Sequence, residues 1–542
     1  MATSNRWAGS WGVVALVMAA GMPCAGAGGA APTSPEPAAR PLPLRLVSAA
    51  AKGAFSNPEQ AIDGDPRTEF TFAWGNGGAQ LVLDLGEPAV VERIGITTGP
   101  GAAPNFLEEV TIGPDPEKMR GLLARPINLT ARPLQKTDLA ITPAVGKYLG
   151  VSFSGGGQVG IGEIEAWGRK HRPERHLCHW WSGDVAADFL EALDYLDRDL
   201  GVTDLWIDKV ATALPSTRPN SGFEVLARAG VFRALQQRGI RYWLTEDEGF
   251  GGLVNSPADL RDDRRWETTL RRAREIYRRA HQLGFRGLAM DAEDYVPPSD
   301  PAVVETYLKV ADHVDCWTFN DEFGYAGHYY QRGQQYGKVI REVWGGPVIQ
   351  YYEAVMYAGK PGCRDGNYWW LKGMYDAGLE IWLATERTYG AGKGELYTPE
   401  AGYPEWTTRW FVDLPDYLAQ THRAYPFAAR VLPGFHPWIS DFGGGIPLYL
   451  PQYLDAQLGI VEKAAYGCWI YHGGTPHAGD PRKVLKNQEF LARHGLSAQD
   501  YLEVFRKHPT SRAPSRQGRA GTRPLRRQDV GNRAGRGRRR GR

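Results

Sequence analysis

The sequence has little cysteine. Cys24, Cys178, Cys316, Cys363 and Cys468 are the only thiols in 542 residues. They are too few and too widely spaced for a disulfide framework, and none sits in a metal-ligand spacing. Also missing are a phosphate loop, a dinucleotide fingerprint, a Ser/His/Asp triad and a His-rich metal motif. Phosphoryl transfer, hydride transfer and zinc hydrolysis are therefore disfavoured. The apolar run Trp11 to Met22 is too short for an ordinary membrane span. Arg6 precedes it and the small residues Ala25-Gly26-Ala27 follow, so residues 1–27 read as a signal peptide and the chain as secreted, periplasmic or extracellular. Pro23 before Cys24 argues against a lipid anchor. Residues 28–44, rich in Ala, Gly and Pro, read as a disordered linker.

Charge looks scarce but is only cancelled. The net charge is +2, yet Thr510 to Arg542 holds twelve arginines against one aspartate, a net of +11, which leaves −9 for residues 1–509. Residues 509–542 are almost devoid of apolar side chains and read as a disordered basic tail. Such a tail could tether the chain electrostatically to an anionic envelope polymer or to nucleic acid; nothing in it specifies a nucleic-acid sequence.

Aromatic residues are plentiful: 18 Trp, 25 Tyr and 18 Phe. Rings in loops suit sugar binding, because their faces pack on the C–H surface of a pyranose while their edges stay wet.

Residues 45–168 show short β-rich runs with turn signals between them: Gln80–Leu85, Val90–Thr97, Glu109–Ile112, Tyr148–Phe153 and Ile161–Trp167. That spacing predicts a β-sandwich. Four segments in order carry a resemblance: Ala61-Ile62-Asp63-Gly64-Asp65-Pro66-Arg67-Thr68, Leu81 to Gly86, Val91 to Ile96, and Ile161 to Gly168. Together they resemble the discoidin or coagulation-factor C-type module, a galactose-binding-like jelly roll that often binds carbohydrate. The resemblance implies a structural Ca²⁺ held by Asp63, Asp65, Thr68 and Glu163, hard oxygen donors of the kind that ion takes. Phe72, Trp74 and Phe106 are candidate sugar contacts.

From residue 174 to 508 the rhythm becomes strand, loop, helix, which predicts a parallel sheet and, at this length, a (β/α)8 TIM barrel. The whole is thus a multidomain chain of jelly roll, barrel and tail. Nine candidate strands compete for eight places: His176–Trp181, Asp204–Ile207, Arg241–Leu244, Gly287–Met290, Val314–Phe319, Val348–Tyr352, Glu380–Ala384, Val431–Phe435 and Ala465–Tyr471. The first, or one of the last two, is expected to lie outside the barrel.

The apolar run Leu288-Ala289-Met290 ends in Asp291, Glu293 and Asp294. Catalytic groups project from that end of a barrel strand, and alternation puts Asp291 and Glu293 on one face, with Asp294 a bystander. Carboxylates and aromatics at other strand ends suggest a glycoside hydrolase. Asp208, Trp181, Tyr295, Trp317, Tyr352, His436, Trp438 and Trp469 are the candidate substrate contacts. Catalysis then needs no cofactor, only an acid for the leaving oxygen and a second carboxylate for the oxocarbenium-like centre. Phe285 to Glu293 resembles the strand motif of chitinase-type glycoside hydrolases, which implies Glu293 as the acid and Asp291 as its helper. Arg286 and Ala289 stand where that motif carries acids, so chitin is not implied. In many retaining barrel hydrolases the nucleophile follows a late strand, which makes Glu386 the alternative partner. Two other readings stay open: a glycan-binding protein with a degenerate barrel, and transglycosylation.

Overall fold

The computed structural model describes residues 39–51, 54–73, 78–101, 105–123, 125–129, 132–155, 158–179, 185–207, 222–246, 262–291, 325–352, 366–385, 388, 413–435, 451–471, 492 and 495–511. Ten strands form the first module: β1 (Arg40–Pro41), β2 (Arg45–Ala51), β3 (Phe55–Ser56), β4 (Phe70–Ala73), β5 (Ala79–Thr98), β6 (Asn105–Gly113), β7 (Arg120–Gly121), β8 (Ile127–Leu129), β9 (Lys136–Gly155) and β10 (Gln158–Lys170). All pairings are antiparallel, in the order β3-β4-β10-β5-β9-β6-β7. The 20-residue strand β5 serves two layers. Its residues 79–84 pair with β2 and its residues 89–98 with β10, the ladder to β9 shifting register between Asp84 and Ala89. Leu81, Leu83, Leu85, Val110, Ile112, Leu149, Val151 and Phe153 fill the space between the layers, as the two-residue period requires. All five runs expected to be strands are strands. Ordered structure also begins before residue 45, since Arg40–Pro41 pairs with Trp167–Gly168.

The second module is a closed barrel of eight parallel strands: β11 (Glu174–His179), β12 (Asp204–Ile207), β13 (Arg241–Glu246), β14 (Leu288–Asp291), β15 (Val348–Tyr352), β16 (Ile381–Thr385), β17 (Ala428–Phe435) and β18 (Gly467–Ile470). Helices intervene throughout: α1 (Val185–Arg198), α2 (Gly222–Arg228), α3 (Val231–Arg238), α4 (Asp263–Gln282), α5 (Tyr325–Val343), α6 (Gly366–Asp376), α7 (Leu414–Ala424) and α8 (Pro451–Ala464), with α9 (Ala498–Lys507) after the last strand. The expectation that the first or a late candidate strand falls outside the barrel is overturned, because both ends of the series are barrel strands. β14 pairs directly with β15, and the remaining candidate, Val314–Phe319, lies outside the described residues.

Alternation along the strands sorts side chains into two cores. Leu205, Leu244, Leu288, Met290, Leu383 and Ile470 face the helices. Trp206, Trp243, Ala289, Ile349, Trp382, Ala384, Leu432 and Trp469 fill the interior. Four indoles fit there because small residues face them. A Cβ on Gly434 would stand 2.6 Å from Trp469 Nε1, and one on Gly287 would stand 3.1 Å from the Trp243 ring.

Three residues, His171 to Pro173, join the modules. Val90 and Val145 of the sandwich pack in one cluster with Tyr466, which immediately precedes β18, and His171 N–H donates to the Pro88 carbonyl at 2.9 Å. The sandwich therefore sits against the end of the barrel where strands begin. Beside this seat the hairpin leading into β7 runs along α7, Lys118 pairing with Asp413 at 2.9 Å.

Candidate functional site

The strand-start end of the barrel carries a charge network that sequence reading missed. Asp204, fully buried at the head of β12, accepts from Trp243 Nε1 at 2.9 Å on one oxygen. Its other oxygen accepts from Thr203 Oγ1 at 2.6 Å and from Arg241. Arg241 also reaches Glu174 at 2.8 Å, and Arg430 reaches Glu174 at 3.0 Å. Trp206 Nε1 donates to His176 Nδ1 at 3.1 Å, which leaves the ring proton on Nε2, facing Glu174 at 3.3 Å and Asp204 at 3.5 Å. Burial opposes ionisation of both acids. The Arg241 and Arg430 guanidiniums nevertheless hold Glu174 well below the usual carboxylate range, and Arg241 with His176 holds Asp204 down.

Glu174, His176 and Asp204 offer ligand atoms within 4.8 Å of one another, the one such trio among the described residues. It is already neutralised: two carboxylates face two arginines, and the His176 nitrogen that would bind a metal carries the proton. A divalent ion would have to displace Arg241. The network is best understood as a bracket for the interior indoles, completed by Trp382 donating to Glu380 and by Arg430 lying 4.0 Å over Trp382 and 4.5 Å over Tyr466. Its trace in the sequence was a charged residue at strand starts, at Glu174, Asp204 and Arg241.

Two histidines beside the network are held neutral. Burial pushes the His171 imidazole down to about 4, and its Nε2 has no partner. Glu174 and a bond to the Ala465 carbonyl favour its charged form, whereas Arg169 and Arg430 oppose it. His422 lies well below its ordinary range through burial and through Arg120. A histidine with depressed folded pKa takes up a proton more readily when unfolded, so stability is full above about pH 6.5 and falls as pH drops toward 4. For His171 the loss between pH 7 and pH 4.5 amounts to about 2.4 kcal/mol. Urea unfolding at pH 7, 5.5 and 4.5 should show His171→Phe losing that much less than the natural chain; equal losses would sink the assignment.

At the opposite end of the barrel the strands terminate in the candidate catalytic region. Asp291 is the last residue of β14, aligned with Tyr351 of β15 and, through it, with Ala384 of β16. Tyr352 closes β15 opposite Thr385. Thr388 Oγ1 donates to the Gly434 carbonyl at 2.9 Å and accepts from Gly434 N–H at 2.7 Å, tying the chain just after β16 to β17. Glu293, Glu386, Asp208, Trp181, Tyr295, Trp317, His436 and Trp438 lie outside the described residues. Trp469 is corrected as a substrate contact: it has no exposed surface, stacks on Trp206 at 5.0 Å and donates to the Thr385 carbonyl at 3.3 Å. It is barrel packing, because its ring face is taken by Trp206 and its N–H by the Thr385 carbonyl.

In the sandwich, Asp63, Asp65, Thr68 and Glu163 do come together. Glu163, 8% exposed, accepts from Gly64 N–H at 2.9 Å, and burial followed by repulsion from Asp63, Glu165 and Asp65 pushes its carboxyl up to about 7. Thr68 Oγ1 lies 2.8 Å from both Asp63 Oδ2 and the Asp65 carbonyl. One hydroxyl proton serves only one of them, so oxygens crowd without a donor between, as around a hard cation. The Asp65 carboxylate is engaged by Arg67 at 2.8 Å, which makes its carbonyl the better donor. Phe72 is core at 2% exposure, Phe106 is 41% exposed, and Trp74 lies outside the described residues.

No family model and no curated protein matches this chain. Solved structures match over about a quarter of it. A truncated AlyQ with CBM32 and alginate lyase domains is 16% identical, covering 28% of this chain and 37% of its own, with a TM-score of 0.21, so the match spans well under half of that protein. The CBM32 of AlyQ in complex with 4,5-unsaturated mannuronic acid is 18% identical over 22% of this chain and 95% of its own, at 0.20. The family 32 CBM from C. perfringens NanJ in complex with galactose is 17% identical over 24% and 98%, also at 0.20. Likenesses at this level carry no argument about what this chain does.

Proposed function

We propose that the chain is a secreted glycoside hydrolase in which a (β/α)8 barrel cleaves a poly- or oligosaccharide and the β-sandwich holds glycan. The observation that carries the reading is the end of β14. Ala289 belongs to the interior row, and the two-residue period assigns position 291 to the same row, at the carboxyl end where barrel enzymes keep their chemistry. Glu293 acts as general acid, with Asp291 or Glu386 as the second carboxylate. Strand–helix alternation round a closed parallel barrel supports the architecture. The test is reducing-end release from a panel of polysaccharides and aryl glycosides; a broad panel left uncut would remove hydrolysis. That result would favour a second reading, a glycan-binding barrel without chemistry. Ala289 supports it, since the position where the chitinase-type strand carries an acid is here given to the packing of indoles.

In this reading Asp63, Thr68, Glu163 and the Asp65 carbonyl hold a structural Ca²⁺, which neutralises the acid cluster and takes no part in catalysis. Calcium at a hundred times its dissociation constant should stabilise the sandwich by about 2.7 kcal/mol, and EDTA should reverse this. Thermal unfolding with and without Ca²⁺ checks it; Glu163→Gln should abolish the increment, and an increment that survives the substitution would place the ion elsewhere.

A further inference from the structure

A buried hydroxyl without a partner costs free energy, and one that a chain keeps calls for a reason. Thr245, near the end of β13, is 1% exposed, and its Oγ1 has no hydrogen-bond partner. It is the one such atom in the bore of the barrel among the described residues. Trp243 belongs to the interior row, and Tyr242 and Leu244 to the row facing the helices, so the two-residue period turns Thr245 inward. The other threonines at this end are paired: Thr385 Oγ1 with the Tyr417 hydroxyl at 2.7 Å, and Thr388 Oγ1 with Gly434.

The interior of such a barrel fills in layers of four side chains drawn from alternate strands. The registers assign one layer to Trp206, Ala289, Ala384 and Trp469. The next toward the mouth takes Cys178, Thr245, position 351 and Gly434. Above it come position 291 of β14 and Tyr471, which is only partly buried, so the bore opens there. Gly434, Ala289 and Ala384 carry no polar side-chain atom, and Cys178 offers only sulfur. The Nε1 atoms of Trp206 and Trp469 are donors, already given to His176 and to the Thr385 carbonyl. A strong acceptor for the Thr245 proton therefore comes from the layer above. Ala289 is level with Thr245 across the ladder, which puts Asp291 two residues farther along the neighbouring strand, about 8 Å away between Cα atoms. A threonine hydroxyl and an aspartate carboxylate that both turn into the bore span that distance.

We infer that Thr245 is a positioning residue of the barrel mouth: with sugar bound, its hydroxyl donates to the Asp291 carboxylate and keeps that acid ionised. Oγ1 is unpaired in the structure, so the bond is one that the reaction makes and that folding does not need. This rests on the reading of the barrel as a hydrolase in which Asp291 partners Glu293.

The experiment compares Thr245→Val, Thr245→Ser, Asp291→Asn and the combined Thr245→Val, Asp291→Asn variant in the full chain. Reducing-end release is measured on whichever of pectin, alginate, galactan, soluble chitin and aryl glycosides the natural chain cuts. Valine has the shape of threonine without the hydroxyl, so its unfolding temperature should equal or exceed that of the natural chain. Its kcat should fall about tenfold, and the acid limb of its kcat profile should rise by about one pH unit, because a hydrogen bond to the charged carboxylate is gone. The acid limb of kcat/KM, which reports the free enzyme, should stay where it is. Serine keeps the hydroxyl and should hold kcat within about twofold of the natural chain's. With Asp291→Asn already in place, the valine substitution should have no further effect. An unchanged kcat and profile in Thr245→Val would overturn the inference. So would a lowered unfolding temperature with equal losses in the serine variant, or an undiminished loss in the Asp291→Asn background. A natural chain that cuts none of these substrates defeats the hydrolase reading and takes this inference with it.

Discussion

Replacing Asp204 by alanine is expected to cost about 3–5 kcal/mol and to lower the unfolding temperature of the barrel on the order of 10 °C. Asp204 is fully buried and accepts from Trp243, Thr203 and Arg241 at once. Its loss leaves Arg241 with Glu174 alone in a site shielded from water and leaves the Trp243 N–H without its acceptor. Breaking one side of a buried ionic group strands the other, which is why the cost exceeds that of an exposed pair. Asp204→Asn keeps an acceptor for Trp243 and should lose less. A cycle with Arg241→Met should show coupling of at least about 1 kcal/mol, since the second loss removes the stranded charge. Chemical denaturation of the four proteins decides it; an alanine variant within 1 kcal/mol of the natural chain would mean the network stabilises nothing.

Glu293→Gln is expected to lower kcat by about 10²–10⁴ on substrates with poor leaving groups, and far less on activated aryl glycosides. The asymmetry follows from the role: an acid that protonates the leaving oxygen matters least when that oxygen departs unaided. A large, equal loss on both classes would point to a nucleophile or a structural role. Asp291→Asn and Glu386→Gln then separate the two templates. Azide should rescue only the variant that lacks a nucleophile, because a small anion can occupy the space of the missing carboxylate.

Local pattern was enough to predict the sandwich strands and the sorting of β14 into interior and exterior rows. These depend on a period of two residues, which a chain displays along its own length. The grouping of Asp63, Asp65, Thr68 and Glu163 came from the resemblance and not from local pattern, since Glu163 lies 99 positions from Gly64, from whose N–H it accepts. The order of strands round the barrel was not legible, since β14 pairs with β15 across 56 residues of connecting chain. Nor could sequence separate Trp469, sealed against Trp206, from an aromatic free to meet sugar. A tryptophan at a strand end has the same local pattern in either role; its neighbours across the barrel determine whether its face is free. The bracket of Glu174, His176, Asp204, Arg241 and Arg430 joins residues up to 256 positions apart. Each alone reads as an ordinary charge at a strand start. Only closure of the barrel brings them within a few ångströms of one another, away from water, where their pairing gains its strength.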